Sequence, residues 1–173
     1  MNKNLFEYTL RLGDTSLILS QRLGEWCGHG PVLEEDIALT NIALDLLGQA
    51  KAFLAYAGEI EGKGRSEDSL AFHRDANQFR NMLLTEQPNV DFGCTIVRQL
   101  FVSAWQHYLY SELTQSTDKN ISALAVKSLK EVNYHLRYAS DWTMRLGDGT
   151  EESHQRMQNA VNELWNFTGD LFE

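Results

Sequence analysis

Residues 121–146 read ISALAVKSLKEVNYHLRYASDWTMRL. Within them Ile121, Ala125, Ser128, Val132, His135, Ala139, Trp142 and Leu146 recur at alternating steps of four and three. That is the period of an α-helix with one face turned into a bundle core. The spacing predicts a helix from about Asn120 to Leu146, which Gly147-Asp148-Gly149 ends. Thr150-Glu151-Glu152-Ser153 then opens another helix, with a threonine to cap it and two acids to complement its dipole. This last helix continues through Met157, Val161, Leu164 and Trp165.

The same periodicity occurs in three segments upstream. A first helix is expected from about Asn4 to Cys27, with the stripe Leu5, Tyr8, Leu12, Ser16, Leu19, Leu23, Trp26. Gly28-His29-Gly30-Pro31 stops it, since glycine permits a left-handed cap and proline cannot continue a helix. A second opens at Val32 or Leu33, has Glu34, Glu35 and Asp36 in its first turn, and carries Leu39, Ile42, Leu46, Gln49, Phe53, Tyr56 and Ile60. Gly62 to Gly64 closes it. A third spans about Phe92 to Thr114 with Ile96, Leu100, Ser103, His107 and Tyr110. Between the second and third lies a connector, about Arg65 to Asp91. In it, Ser66 or Asp68 can cap a short helix through His73, and a second short helix covers about Ala76 to Leu84. Gln87-Pro88-Asn89 reads as a turn. The expected fold is therefore all-α: one ferritin-like domain over residues 1–173, a four-helix bundle with a crossing connector and an additional C-terminal helix.

The bulk numbers exclude several functions. A net charge of −9 argues against a nucleic-acid binder and against docking on anionic lipid. No apolar run approaches roughly 18 residues, so no membrane span is expected. Met1 to Asn4 runs directly into the first helical pattern, so no signal peptide is expected either. Cys27 and Cys94 match no metal or redox spacing and read as free thiols in a reducing cytoplasm. Gly28-His29-Gly30 lacks the preceding strand of a phosphate loop. The tryptophans Trp26, Trp105, Trp142 and Trp165 read as core or interface packing. Arg11, Arg22, Arg98 and Arg137 suit solvated faces or ion pairs with a partner.

A bundle of this kind can hold two irons when two helices each give an acid and two others each give Glu-x-x-His. No long helix here contains Glu-x-x-His. The central polar residues of the stripes are Ser16, Gln49, Ser103, His107 and His135, none a carboxylate. The nearest approach is Glu131 with His135, four apart, with Glu131 one step off the stripe beside Lys127 and Lys130. His107 and His135 read as hydrogen-bonded core histidines, or as ligands of a single metal, or as part of a polar network in place of metals.

Three segments carry a resemblance: EWCGHGPVLEEDIALTNIALDLLGQA, RDANQFRNMLLTEQPNVDFGCTIVRQ and SLKEVNYHLRYASDWTMRLGDGTEESHQRMQNAVNELW. Together with the rest of the chain they resemble the PaaC family, the structural subunit of bacterial phenylacetyl-CoA epoxidase. The resemblance implies a ferritin-like subunit paired with a homologous catalytic subunit that holds the diiron centre. That complex epoxidises the ring of phenylacetyl-CoA with O2 and electrons from a separate reductase, and a small further subunit bridges the heterodimers. It also implies that the six ligand positions of the catalytic subunit fall here on Ser16, Leu46, Gln49, Ser103, Val132 and His135, with only His135 keeping its type. On that reading these positions are vestigial, no cofactor belongs to this chain, and no catalytic residue is expected. Members of the family continue further, so the resemblance implies a C-terminally shortened chain, with Trp165 and Phe172 as candidates for a partner surface. The implied function is a cytoplasmic, non-catalytic scaffold, able to form a homodimer when alone. Two alternatives stay open at this point: a metal-dependent oxidase using His107, His135 and Glu131, and an acyl-CoA-binding helical module.

Overall fold

The computed structural model describes residues 2–172. Among the described residues there are helices and turns and no strand. The long helices are α1 (Lys3–Gly24), α2 (Leu33–Glu61), α5 (Phe92–Leu113) and α6 (Lys119–Gly147), with α7 (Glu151–Leu164) after them. Two short helices, α3 (Glu67–Phe72) and α4 (Leu83–Glu86), lie in the connector. Two long helices, a connector and two long helices is the element order of a ferritin-like bundle. The chain divides into two compact units, Met1–Glu86 and Gln87–Glu173.

In the first unit α1 and α2 form a helical hairpin. Their close approach falls at Gly13, where a Cβ would sit 2.8 Å from Leu54 Cδ2. Leu39, Ile42, Leu46, Gln49 and Phe53 of α2 are buried, as the stripe predicts. Gly62 ends α2 with φ 70°, the left-handed geometry that only glycine takes without strain. On α1 the outcome is broader than one stripe. Leu12, Ser16, Leu19 and Leu23 are buried as expected, but so is every residue from Leu12 through Leu17, while Tyr8 is exposed. A second face carries Phe6, Leu10 and Leu17 into a cluster with Ala50, Leu54 and Ala57 of α2 and Leu70 of α3. A helix buried on two faces blurs a single-stripe pattern.

By length and composition α2 is apolar enough to cross a membrane, which corrects the expectation that no segment is. Under half of its most apolar window is buried. Its outward side shows Leu33, Ile37, Leu44 and Leu47.

The connector is shaped by one buried charge. Asp14 is fully buried on α1 and is paired with the guanidinium of Arg74, itself 3% exposed. Arg74 Nη1 donates to Asp14 Oδ2 at 2.9 Å, and the backbone N–H of Arg80 donates to the same oxygen at 2.9 Å. Arg74 also donates to the carbonyls of Leu70 and Gln78 and lies 4.2 Å over the ring of Phe79. This is why the predicted helix from Ala76 to Leu84 is broken. Only Ala76–Gln78 forms a 3-10 turn; Phe79 is extended (ψ 147°), the N–H of Arg80 turns toward Asp14, and helix resumes at Leu83. The α3 prediction holds, with Ser66 as its cap.

In the second unit α5 pairs with α6, and α7 packs on both. Asp91 caps α5 by accepting from Cys94 N, and Asp118 caps α6. Thr150 and Ser153 form a reciprocal capping box at α7. The last helix ends at Leu164 rather than running through Trp165, and 3-10 turns Trp165–Phe167 and Gly169–Phe172 follow. Arg98, expected on a solvated or partner face, is instead fully buried and donates to the Gln87 carbonyl and Asn89 Oδ1. It thereby fastens the turn that precedes α5.

The enclosed charges set how the fold responds to substitution and to acid. Asp14→Ala leaves the Arg74 cation buried without its partner, so urea unfolding at pH 7 shows a loss of about 3–5 kcal/mol. The double variant Asp14→Ala/Arg74→Leu recovers much of that loss. Glu61, with a side chain 3% exposed, accepts from Arg65 Nε and Nη2 at 2.6 Å each, and these bonds hold its carboxyl below the ordinary 4.5. A lowered folded-state value means stability that is present above pH 4.5 and fades as pH falls through the folded value. Urea midpoints measured across pH 2–6 are therefore flatter in Glu61→Gln than in the parent.

Candidate functional site

The six positions singled out by the resemblance are all core positions. Ser16 on α1 is 0% exposed, and Leu46 and Gln49 on α2 are 0% and 3%. In the second unit Ser103 on α5, and Val132 and His135 on α6, are each 0%. Helical period explains this within each element. Leu46 and Gln49 lie three apart on the α2 stripe, and Val132 and His135 lie three apart on the α6 stripe.

Their chemistry does not suit a diiron centre. Such a centre takes anionic oxygen ligands to balance two metal charges, plus imidazoles. The six side chains are two hydroxyls, one amide, two aliphatics and one imidazole. Ser103 Oγ accepts from Gln99 Nε2 at 2.7 Å. Among the described residues no group of three or more His, Cys, Asp or Glu is placed to hold a metal ion. The enclosed carboxylates Asp14 and Glu61 each pair with an arginine. Asp14 is two residues from Ser16, roughly 200° around the helix, so it points away from that position.

His107 departs from its expected place. The row that α5 turns inward is Ile96, Gln99, Ser103, Gln106 and Tyr110, and Leu100 and His107 sit one step off it, half-buried. His107 Nδ1 lies 2.8 Å from Asn133 Oδ1. Its expected role as a core histidine is corrected; of the two histidines, only His135 is enclosed. Glu131 is half-buried. The loop at Gly28-His29-Gly30 also has no phosphate geometry: Gly30 N–H donates to Asp36 Oδ2 at 3.0 Å.

Sequence reasoning missed two features. One is the polar content of α5, where Thr95, Arg98, Gln99 and Gln106 are buried in addition to the expected Ser103. A stripe search that scores apolar residues passes over glutamines. The other is an apolar groove of about 630 Å³ in the second unit, lined by Phe101, Trp105, Tyr108, Trp165, Leu171 and Phe172. Phe101 and Trp165 meet edge to face with centroids 5.7 Å apart. Trp165 and Phe172 are 63% and 83% exposed, so the two residues expected at a partner surface lie in this groove. Among the described residues the charge in its lining is that of Glu112, which is unfavourable for the phosphates of a CoA ester.

Cys27 is exposed, Cys94 is buried, and both are free thiols. Burial pushes the Cys94 thiol above its ordinary value. Cys27 should titrate promptly with a thiol reagent at pH 7, and Cys94 at least about tenfold more slowly until the protein is unfolded.

Across residues 1–173 the chain matches the family described as “Phenylacetic acid catabolic protein”, PaaA and PaaC. It is 57% identical over 169 residues to the C-type subunit of the 1,2-phenylacetyl-CoA epoxidase of Escherichia coli (strain K12). That similarity covers 98% of this chain and 68% of the relative.

Proposed function

The chain belongs to the phenylacetic acid catabolic protein family of PaaA and PaaC subunits, ferritin-like helical bundles, and on that premise we propose that it is a non-catalytic scaffold subunit of a phenylacetyl-CoA 1,2-epoxidase. It docks a homologous diiron catalytic subunit and a small bridging subunit, and a reductase delivers electrons to the complex. The chemistry belongs to the catalytic subunit, and the work of this chain is to hold that subunit's helices in place.

The observation that carries this reading is the residue set at the six core positions: Ser16, Leu46, Gln49, Ser103, Val132 and His135, without one carboxylate. Buried carboxylates with no metal to balance them are costly, and neutral side chains remove that cost. Leu46 and Val132 add apolar packing where ligands would otherwise stand. Such a chain folds without iron and retains its outer surfaces for association. The outward leucines of α2 and the groove at Trp165 and Phe172 supply apolar surface that an assembly can cover. A groove lining with Glu112 and, among the described residues, no cation weighs against the acyl-CoA-binding alternative.

Iron analysis of the purified chain, alone and with the catalytic subunit, tests the proposal. The expected result is no stoichiometric iron in the isolated chain and co-purification with the catalytic subunit. Stoichiometric iron that disappears in His135→Ala would sink it in favour of an oxidase. Elution as a monomer that ignores the catalytic subunit in a pull-down would remove its basis as well.

A further inference from the structure

The inward row of α5 contains three consecutive polar residues, Gln99, Ser103 and Gln106, each 0% exposed. Gln99 Nε2 donates to Ser103 Oγ at 2.7 Å. Among the described residues Gln99 Oε1 meets no hydrogen-bond partner, and neither does Gln106 Nε2 or Oε1. A buried amide with neither atom bonded carries the full desolvation cost of both groups. Native interiors answer such groups with protein partners or with ordered water.

We propose that Gln99, Ser103 and Gln106 form a buried water-binding site, with at least one ordered water held on the Gln106 amide. The row has the donors and acceptors that water needs. Gln106 presents two N–H donors and a carbonyl. Ser103 receives the Gln99 N–H on its oxygen and keeps its own hydrogen to donate. Gln99 Oε1 accepts. Steps of four and three place all of these on one helix face, over roughly 10 Å of helix. A buried water takes two to four such partners.

The same inventory selects against other occupants. Every group in the row is neutral, so nothing there balances a metal cation or a buried anion. Ser103 is one of the six positions at which the resemblance places a metal ligand, so solvent would take up room that a carboxylate and its ion fill in an iron-binding bundle. The site does not depend on the scaffold function: an oxidase or a binding module with this α5 would hold the water equally.

A crystal structure of this chain at a resolution that shows ordered water decides the matter. The expected map has a water within hydrogen-bond distance of the Gln106 amide and of Gln99 Oε1 or Ser103 Oγ. In Gln106→Leu the same water peak is lost while Gln99 and Ser103 stay in place. A map in which the Gln106 amide bonds only protein groups, or faces a dry void, overturns the proposal. If Gln106→Leu does not fold, the parent map alone decides between these outcomes. Exchange cross-peaks between the Gln106 side-chain amide and water in solution provide an independent reading, and their absence in the folded protein also counts against it.

Discussion

A carboxylate in a helical interior must be answered by a cation, and this constraint organises the molecule. Where a carboxylate is enclosed, an arginine meets it: Arg74 for Asp14, Arg65 for Glu61. Where an iron-binding relative would rely on metal to do the answering, the enclosed side chains are neutral. Both outcomes obey one rule, that a buried carboxylate is not left without a counter-charge in a low-dielectric core. The first shapes the connector by turning the Arg80 N–H toward Asp14. The second leaves those positions with no buried carboxylate to balance.

Periodicity made the long helices and much of the core legible. The α2 and α6 stripes were readable because their inward residues keep a regular helical period: Leu39 through Phe53 and Ile121 through Ala139 are buried in register. The α5 row was read one step off at Leu100 and His107, because glutamine carries no apolar signal although its amide can be buried when bonded. The second face of α1 was hidden because its partner cluster includes Leu70, far along the chain. The break in the connector was not readable either. It depends on Asp14 meeting residues 60 and 66 positions away, and local propensity around Ala76 holds no trace of that. Arg98 looked like a surface cation because nothing in the local sequence shows that it folds back onto the Gln87 carbonyl and Asn89 Oδ1.

At the candidate site the sequence was most informative through what the stripes lacked. The six positions are enclosed, and none of them carries a carboxylate. The polar character of α5 was the part that needed coordinates. At the six positions and along the Gln99, Ser103 and Gln106 row the interior is polar without being charged.

The latch at Asp14 also has a consequence for how the chain is made. All of its partners lie before residue 81, inside the unit that ends at Glu86. Synthesis proceeds at about 5–20 residues per second, and early segments generally fold as units while later ones emerge. The first unit can therefore close the ion pair between α1 and the connector on the ribosome while α6 is still untranslated. The buried charge of the first unit can then be neutralised before the second has been completed.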